Sequence, residues 1–439
     1  METIENKKEP EIEIVTEIEI VVPKKNYWKK LGPGLTTGAA DDDPSGIATY
    51  SQVGSHYGFQ LLWLSLFTAP LMFVVQEMCA RLGMVTGRGL ASNIRANYSR
   101  WVLYVCVFLL FVANVFNIGA DLGAMAKGFQ LLFPNTQFAI LVVVFALVSL
   151  LLQIYIPYKK YAPYLKYLTF SLLSYIIVGF LVHLNWSEVL WATIIPSIDF
   201  SKDQIFLICA VLGTTISPYL FFWQSSQEVE EEIVLGRTSI VKRRGVTKDE
   251  LKEMRVDSSI GMVFSNLVMF FIIAVCATTL YSSGITNITT AEEAALALKP
   301  LAGDWAFALF AFGIFGTGFL AIPILAGSAS YAISESFKWK EGLSRKFNQA
   351  RSFYLVIILA VLVGLAFNFM GIHPIKILLY SAVLNGLVAP VILILIVSMS
   401  SNKRIMGENA NGPILKIVGW VTTSLMFLVG SATIVLLIM

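Results

Sequence analysis

Three consecutive aspartates, Asp41–Asp43, stand in the middle of a long apolar stretch and are followed directly by Pro44. A charged side chain at the centre of a bilayer costs about 2.5–3.5 kcal/mol on insertion scales, so this cluster needs water, partners or a cation. Consecutive helical residues point about 100° apart, and a proline removes a backbone hydrogen bond and disfavours the helical conformation of the residue before it. We therefore expect the backbone to unwind at Asp43–Pro44 and to turn Asp43 towards the centre of a cation site.

A second interruption of the same kind lies in a later apolar stretch, Gly213–Tyr219, which contains Pro218. Backbone carbonyls freed by a proline are tolerated in hydrocarbon only where they line a cavity or are otherwise satisfied. Hydroxyl and backbone oxygens of Thr214 and Ser217 are therefore candidate ligands for the same cation, although a threonine here can also bond back to its own helix. Interrupted segments at matching positions of two halves indicate the binding site of a transporter. Two ordinary proline kinks are the alternative.

The elements that must position these residues are membrane helices. The chain has 439 residues, of which 56% are hydrophobic and only 14% are charged, whereas soluble domains have about 25% charged residues. This composition excludes a disordered protein, a disulfide-rich scaffold and a nucleic-acid-binding domain. A spanning helix needs about 20 apolar residues. Eleven segments are predicted to span the membrane: 34–57, 59–82, 101–126, 137–156, 164–183, 205–228, 258–281, 304–333, 352–370, 375–399 and 413–438.

The positive charges indicate how these segments are oriented. With the N-terminus in the cytoplasm, all of the 32 Lys and Arg residues except Lys127, Lys202, Lys299 and Lys376 fall on the cytoplasmic side. Such an asymmetry is what the positive-inside rule describes. We therefore predict an all-α integral protein of the cell membrane, with a cytoplasmic N-terminus and an extracellular C-terminus.

The predicted organisation of the chain follows from this topology. Residues 1–30 form a cytosolic tail, residues 31–400 form a transporter core, and residues 401–439 form a cytosolic loop and the last helix. The two interruptions lie five helices apart, which predicts an inverted repeat with halves at about 31–184 and 203–400.

In these motifs the sequence resembles the Nramp family of divalent-metal transporters. Gly32-Pro33-Gly34 opens the first helix as in the family, and Asp43-Pro44-Ser45-Gly46 stands where the family has Asp-Pro-Gly-Asn. Asp121-Leu122 matches the family's Asp-Leu, and Gly213–Tyr219 stands where the family has a stretch that ends in Met-Pro-His. The resemblance implies a LeuT-type fold, with an inverted 5+5 helix repeat plus an eleventh helix, and transport of a metal ion by alternating access.

Several positions depart from the family pattern. The family's asparagine, its metal-binding methionine and the histidine that follows are replaced by Gly46, Ser217 and Tyr219. A glutamate of the family's proton route is replaced by Ala124, and a glutamine of the tenth helix is replaced by Ala382. The resemblance therefore implies that the sulfur ligand and the titratable partners of the family site are missing here.

These replacements change the ion preference expected of the site. A methionine thioether favours soft ions, whereas oxygen ligands suit Mg²⁺, Ca²⁺ and Mn²⁺, and Mg²⁺ is usually held by one or two carboxylates with part of its water shell intact. We therefore predict a metal site made of Asp43, Ser217 and Thr214, with Gly46 leaving room for a hydrated ion. The pattern resembles the Nramp-related magnesium transporter branch, which implies transport of Mg²⁺, and also of Mn²⁺, without proton coupling.

Further polar residues are predicted to surround the metal site or to line the ion path. Asn114, Asn117 and Asp121 are spaced three and four apart and so share one helical face, for which hydrogen bonding between helices is the alternative. The same prediction covers residues near the two interruptions and in the tenth helix: Asp42, Tyr219, Gln224 and Asn385. The acidic run Glu230–Glu232 is interpreted as a solvated helix end.

Two other functions are compatible with these residues. One is a conventional proton-coupled Mn²⁺/Fe²⁺ importer that tolerates the replacements, and the other is a symporter of the same fold for an organic substrate. No covalent chemistry, bound cofactor or nucleic-acid contact is expected, so the protein is predicted not to be an enzyme. Its expected partners are the transported divalent ion and the lipid bilayer, and a monomer is consistent with the sequence.

Overall fold

The computed structural model describes residues 31–286, 288, 290–370 and 374–438, and describes their side chains except at 374–380, 382–383 and 436–438. All regular secondary structure within these ranges is helical. The predicted cytosolic tail, residues 1–30, and the side chain of Ala382 lie outside the described part of the chain.

The helices follow one another along the chain with short connections. Those of the first half are α1 Pro33–Asp41, α2 Pro44–Tyr57, α3 Trp63–Thr86, α4 Leu90–Asn97, α5 Arg100–Leu132, α6 Phe138–Tyr155, α7 Tyr158–Leu168, α8 Leu173–Leu181 and α9 Trp186–Ile194. Those that follow are α10 Lys202–Thr215, α11 Pro218–Val234, α12 Ile240–Arg243, α13 Lys248–Thr279, α14 Ala291–Phe337, α15 Arg351–Phe367, α16 Pro374–Ser400, α17 Lys403–Met406 and α18 Pro413–Ile438.

Each of the predicted spans corresponds to one of these helices or to two consecutive ones. In the described part of the chain, eight helices or pairs of consecutive helices are long and apolar enough to cross a membrane. The three other predicted spans are the broken pair α1–α2, the 17-residue helix α15 and the 27-residue helix α16. The all-α membrane architecture predicted from the sequence is therefore confirmed.

One helix begins earlier than the sequence analysis predicts. The eighth predicted span starts at residue 304, whereas α14 starts at Ala291 and is interrupted at Gly303, which has φ 88° and ψ 173°. A positive φ of this kind favours glycine, because glycine has no Cβ to clash with the backbone. The residues before Gly303 therefore form a separate short helix that leads into the span.

The two interrupted helix pairs lie in the middle of the bundle. Every residue of α1 is buried. Helices α1 and α2 pack against α13, α10 packs against α16, and α11 packs against α3. Glycine permits the closest of these approaches, because a Cβ on Gly38 of α1 would overlap the backbone of Gly261 on α13. Small residues let membrane helices approach each other in this way.

The first turn of α1 is held by a side chain from the second half of the chain. Asp257 of α13 accepts hydrogen bonds from the backbone amides of Gly32 at 2.8 Å, Gly34 at 2.7 Å and Leu35 at 3.2 Å. The first amides of a helix have no partner within the helix, and a negative charge stabilises this end of the helix dipole. Asp257 therefore takes the place of a local capping residue.

Candidate metal site

The first interruption spans two of the three aspartates. Helix α1 ends at Asp41 and is followed by Asp42, with φ −87° and ψ 51°. Helix α2 begins after Asp43, which has an extended backbone with φ −67° and ψ 168°. The Oδ1 atom of Asp43 accepts hydrogen bonds from the Gly46 amide and from the Ser45 hydroxyl, both at 2.7 Å. The predicted unwinding at Asp43–Pro44 is present. Because both bonds use Oδ1, Oδ2 remains available as a cation ligand.

The second interruption leaves a hydroxyl among backbone carbonyls. Helix α10 ends at Thr215, and Ser217 has an extended backbone, with φ −83° and ψ 134°, before Pro218 starts α11. The Ser217 Oγ atom lies 2.6 Å from the carbonyl oxygens of both Gly213 and Thr214. A hydroxyl has one proton and two acceptor lone pairs, so this oxygen can donate to one carbonyl and still face a cation.

Two side-chain contacts hold the interruptions side by side. The Tyr219 hydroxyl, at the start of α11, donates a 2.9 Å hydrogen bond to the carbonyl of Ala40 at the end of α1. On the other side, the hydroxyl of Thr214 on α10 lies 3.5 Å from that of Tyr50 on α2. The unwound residues of both breaks therefore lie between these two contacts.

The hydroxyl of Thr214 also bonds within its own helix. It lies 3.0 Å from the carbonyl of Val211, which is the local alternative expected for threonine. Its oxygen can still act as an acceptor, as in Ser217.

The resulting set of candidate ligands consists of oxygen atoms. It comprises the Asp43 carboxylate, the Ser217 and Thr214 hydroxyls and the carbonyls of the broken turn, where Asp43 is 2% and Ser217 is 0% exposed. Among the described residues, no group of three or more His, Cys, Asp or Glu side chains is placed to hold a metal ion. A cation here would meet one carboxylate and neutral oxygens, and such a set suits hard ions.

Gly46 lies directly beside the carboxylate. A Cβ at this position would lie 3.1 Å from the Asp41 carbonyl oxygen and 3.5 Å from Oδ1 of Asp43. A Cβ here would therefore be a tight contact, and glycine lets the backbone approach the Asp43 carboxylate closely.

The other predicted acidic residues are buried close by. Asp41 accepts a 2.8 Å hydrogen bond from Ser265 of α13, whereas both carboxyl oxygens of Asp42 and of Asp121 have no hydrogen-bond partner in the described structure. Asp121 is close enough to Asp43 for their charges to repel each other. Buried polar groups normally have partners, so these carboxyls need protons, water or a cation nearby.

The polar residues predicted around the site differ in what they contact. Asn114 donates to the Leu325 carbonyl and the Ser328 hydroxyl, both at 2.8 Å, so its amide joins α5 to α14. Gln224 donates to Glu228 at 2.8 Å. The amide oxygens of all four side chains, Oδ1 of Asn114, Asn117 and Asn385 and Oε1 of Gln224, are buried without a hydrogen-bond partner in the described structure. The structure therefore gives Asn114 a helix-joining contact through its amide nitrogen and leaves an unused acceptor on each of the four.

Two features of the surroundings were missed or misread from the sequence. Ser265, which donates a hydrogen bond to Asp41, is followed by Asn266 in an otherwise apolar segment. This polar pair could have indicated from the sequence that the segment contacts the site. The interpretation of Glu230–Glu232 as solvated is wrong. Glu230 is 1% and Glu232 is 3% exposed, and Glu230 accepts a 2.8 Å hydrogen bond from Tyr331.

Comparisons with known proteins agree with this architecture. A family model described as "Natural resistance-associated macrophage protein-like" (Nramp) matches residues 34–436. The "Divalent metal cation transporter MntH" of Caldanaerobacter subterraneus subsp. tengcongensis is 28% identical over 415 residues, which cover 91% of this chain and 91% of the relative. The protein of the same name from Aeromonas hydrophila is 26% identical over 401 residues, which cover 89% of this chain and 91% of the relative.

Solved structures show the same fold. The crystal structure of the Eremococcus coleocola manganese transporter superposes with a TM-score of 0.74 at 19% identity, over 95% of this chain and 89% of that chain. Mhp1, a nucleobase-cation-symport-1 family transporter, superposes with a TM-score of 0.55 at 14% identity, over 93% and 90% of the two chains. At these identities the likeness concerns the fold, and it confirms the predicted LeuT-type fold. Because the family model matches nearly the whole chain, from residue 34 to residue 436, the protein belongs to the Nramp family.

Proposed function

We propose that the protein transports divalent metal cations across the cell membrane by alternating access, with Mg²⁺ as its main substrate, Mn²⁺ as a second one, and no proton coupling. The observation that carries this proposal is the pairing of two unwound breaks around one carboxylate, Asp43, with neutral oxygens at Ser217 and on the backbone. The relatives named as divalent metal cation transporters support a divalent substrate. We keep the orientation deduced from the positive charges, with the N-terminus cytoplasmic and the C-terminus extracellular.

The ligand types support a hard ion. Position 217 offers a hydroxyl where a thioether would favour softer metals. Gly46 places no side chain beside the carboxylate, where an asparagine would add one, and Mg²⁺ usually keeps several of its waters. A site with one carboxylate, neutral oxygens and room for water therefore suits Mg²⁺ and accommodates Mn²⁺.

The residues around Asp43 support the absence of proton coupling. Tyr219 stands where a histidine would titrate near neutral pH, and its hydroxyl is engaged with the Ala40 carbonyl. Ala124 has no proton to exchange. Neither side chain therefore replaces the titratable histidine and glutamate of the family pattern.

A proton-coupled Mn²⁺ importer is the second candidate, and one observation favours it. The carboxyl oxygens of Asp42 and Asp121 are buried without partners near the break, and a buried acid of this kind can carry a proton. The two candidates differ in whether metal uptake moves protons.

Transport by purified protein in liposomes tests the substrate. Mg²⁺ uptake, followed with an entrapped fluorescent indicator, is expected to be lost in Asp43→Ala and kept in the control Asp304→Ala, whose side chain is 85% exposed. Ser217→Met is expected to raise the preference for Mn²⁺ over Mg²⁺, whereas Ser282→Met at an exposed position is not. Unchanged Mg²⁺ uptake in Asp43→Ala contradicts the site, and an unchanged preference in Ser217→Met contradicts the argument from hard ligands.

A pH-sensitive dye in the same liposomes separates the two candidates. We expect the internal pH to stay constant while Mg²⁺ or Mn²⁺ enters down its gradient. Internal acidification that requires the metal and disappears in Asp121→Asn would establish the proton-coupled importer instead.

A further inference from the structure

A large polar cavity lies at one end of the helix bundle, away from Asp43. Its volume is about 960 Å³, and it lies where α3 and α14 end, α5 begins and α11 approaches its last turn. These helix ends fall on the predicted cytoplasmic side. Seven Lys and Arg side chains and three glutamates line the cavity, so it is electropositive by composition.

Four of the seven cationic side chains have no hydrogen-bond or ion-pair partner among the described residues. These are the side chains of Arg88, Arg100, Lys338 and Lys340, which line the cavity. The other three are fixed to backbone carbonyls: Arg95 to Glu335, Arg243 to Gly87 at 3.0 Å, and Arg345 to Glu341 at 2.9 Å. The cavity therefore has a fixed cationic wall and four further charges that can turn towards a ligand.

The backbone at Lys338 adds a second observation. This residue ends α14 with φ 59° and ψ 31°, a left-handed conformation that glycine adopts with less strain than lysine. Glycine is the usual residue just past a helix C-terminus. The lysine is therefore not explained by the local backbone, but its ammonium group adds a charge at the rim of the cavity.

The three glutamates do not cancel these charges. Glu230 accepts hydrogen bonds from Tyr331 and Ser344, and Glu335 accepts them from the Ser92 amide and the Ser226 hydroxyl. Burial and the neighbouring Glu335 raise the pKa of Glu341 to about 9. Seven cationic side chains exceed three carboxyl groups even when all three are ionised. The ligand that fits this balance is an anion.

The rim of the cavity is aromatic and continues into the surface that faces lipid. The rings of Tyr104 and Phe337 stack at 5.6 Å, and those of Phe337 and Trp339 stack at 5.2 Å. On the same face of α5, the side chains of Trp101 and Phe108 are exposed to 80% and 66% of their surface. Aromatic side chains with a polar edge concentrate at the membrane interface, so the cavity opens at headgroup depth beside a path for acyl chains.

We propose that this cavity binds the phosphate headgroup of an anionic phospholipid of the cytoplasmic leaflet, whose acyl chains lie along the exposed face of α5. Arg and Lys side chains would hold the phosphate group of a lipid and a free phosphate ion in the same way. The lipid is favoured because the aromatic rim and the exposed apolar face of α5 have no role in binding a soluble anion. Basic pockets between helices on the cytoplasmic side are suited to anionic headgroups.

Native mass spectrometry of the full-length protein, titrated with phosphatidylglycerol, tests this proposal. A cationic side chain near the surface contributes about 1 kcal/mol to the binding of anionic lipid, so each lost charge is expected to weaken binding about fivefold. The test variants are Arg88→Gln with Arg100→Gln, and Lys338→Gly with Lys340→Gln. The control is Lys403→Gln with Arg404→Gln, which removes two exposed charges on α17 outside the cavity.

The expected result is about 25-fold weaker phosphatidylglycerol binding in both cavity variants, since each loses two charges. The control should bind like wild type, and phosphatidylcholine should bind more weakly throughout. Lys338→Gly relieves the left-handed backbone, so that variant stays folded, which a thermal melt verifies. Equal lipid binding in wild type and both cavity variants overturns the proposal. Displacement of the lipid by millimolar inorganic phosphate also overturns it, because it identifies a site for soluble anions.

Discussion

The carboxylate of Asp257 accepts a 2.7 Å hydrogen bond from the backbone amide of Gly34 and so joins α13 to the first turn of α1. Two more amides, those of Gly32 and Leu35, bond the same carboxylate. Helix α1 also carries the aspartates of the first break at its other end. A movement that opens the metal site on the side of Asp257 must therefore separate α1 from this residue.

Asp257→Ala is expected to free the start of α1. Hydrogen bonds to a charged group contribute about 1.5–3 kcal/mol each, so their loss should raise the population of the open state at least about tenfold. Thr36 lines a neighbouring cavity of about 510 Å³, and the four native cysteines are buried. The labelling rate of Thr36→Cys by a water-soluble maleimide measures the opening.

The control for this experiment is Asp249→Ala, in the exposed first turn of the same helix. It should leave the labelling rate of Thr36→Cys unchanged. Equal rates with and without the Asp257 carboxylate would show that these hydrogen bonds do not restrain α1.

Gly46→Asn is expected to shift ion preference. The new amide would occupy the space beside the Asp43 carboxylate, replace water around the ion and favour Mn²⁺ over the more strongly hydrated Mg²⁺. We expect the ratio of Mg²⁺ to Mn²⁺ uptake to fall by about tenfold, which corresponds to about 1.4 kcal/mol. Gly412→Asn, where a Cβ meets nothing within 4 Å, should change neither rate. An unaltered ratio in Gly46→Asn would mean that this space is not part of the site.

Bound Mg²⁺ should stabilise the protein through Asp43. A ligand at 100 times its dissociation constant stabilises the folded state by about 2.7 kcal/mol. A thermal melt in detergent should therefore show a Mg²⁺-dependent rise in Tm for wild type and for Asp304→Ala, but none for Asp43→Ala. A rise of equal size in all three proteins would place the stabilising ion elsewhere.

Tyr219→Phe should affect movement more than ion binding. It removes the hydrogen bond to Ala40 and leaves that carbonyl without its donor, which costs about 1–3 kcal/mol. We expect a lower Tm and a changed maximal transport rate, with little change in the Mg²⁺ concentration for half-maximal uptake. A large change in that concentration with no change in Tm would identify the hydroxyl as an ion ligand.

Asn114→Ala should behave as a structural variant. Its two hydrogen bonds to Leu325 and Ser328 join α5 to α14, and such bonds in membrane proteins contribute about 0.6 kcal/mol each. The expected result is a lower Tm with unaltered selectivity between Mg²⁺ and Mn²⁺. Altered selectivity at an unchanged Tm would instead support the ion-path interpretation of this residue.

The parts of the site that the sequence predicted are those set by local chemistry. Both breaks lie directly before Pro44 and Pro218, where proline removes an amide and disfavours the helical conformation of the preceding residue. Pro70 and Pro323 lie inside continuous helices, so the polar residues next to Pro44 and Pro218 were a necessary part of the signal. The position of Asp43 as the residue that caps the start of α2 follows from the same break. The long apolar segments likewise predicted the spans, since their length alone suits a bilayer.

The parts that could not be predicted depend on partners far along the chain. Asp257 lies 223 residues from Gly34, and nothing near either residue indicates their contact. In the sequence, Glu230 is one of several acidic residues at a helix end. In the structure it is buried and accepts a hydrogen bond from Tyr331, 101 residues away. For Asn114, Asn117 and Asp121, spacing predicts a common face, whereas only the neighbouring α14 determines that Asn114 contacts another helix.

Each oxygen proposed to hold the ion also makes hydrogen bonds to residues next to it in its own break. Asp43 bonds to Ser45 and Gly46, and Ser217 bonds to the carbonyls of the preceding turn. These bonds come from the protein itself, so the ligands keep their places when cargo departs. We therefore expect the empty site to keep the geometry of the loaded one, so that an ion arriving from either side of the membrane meets the same ligands.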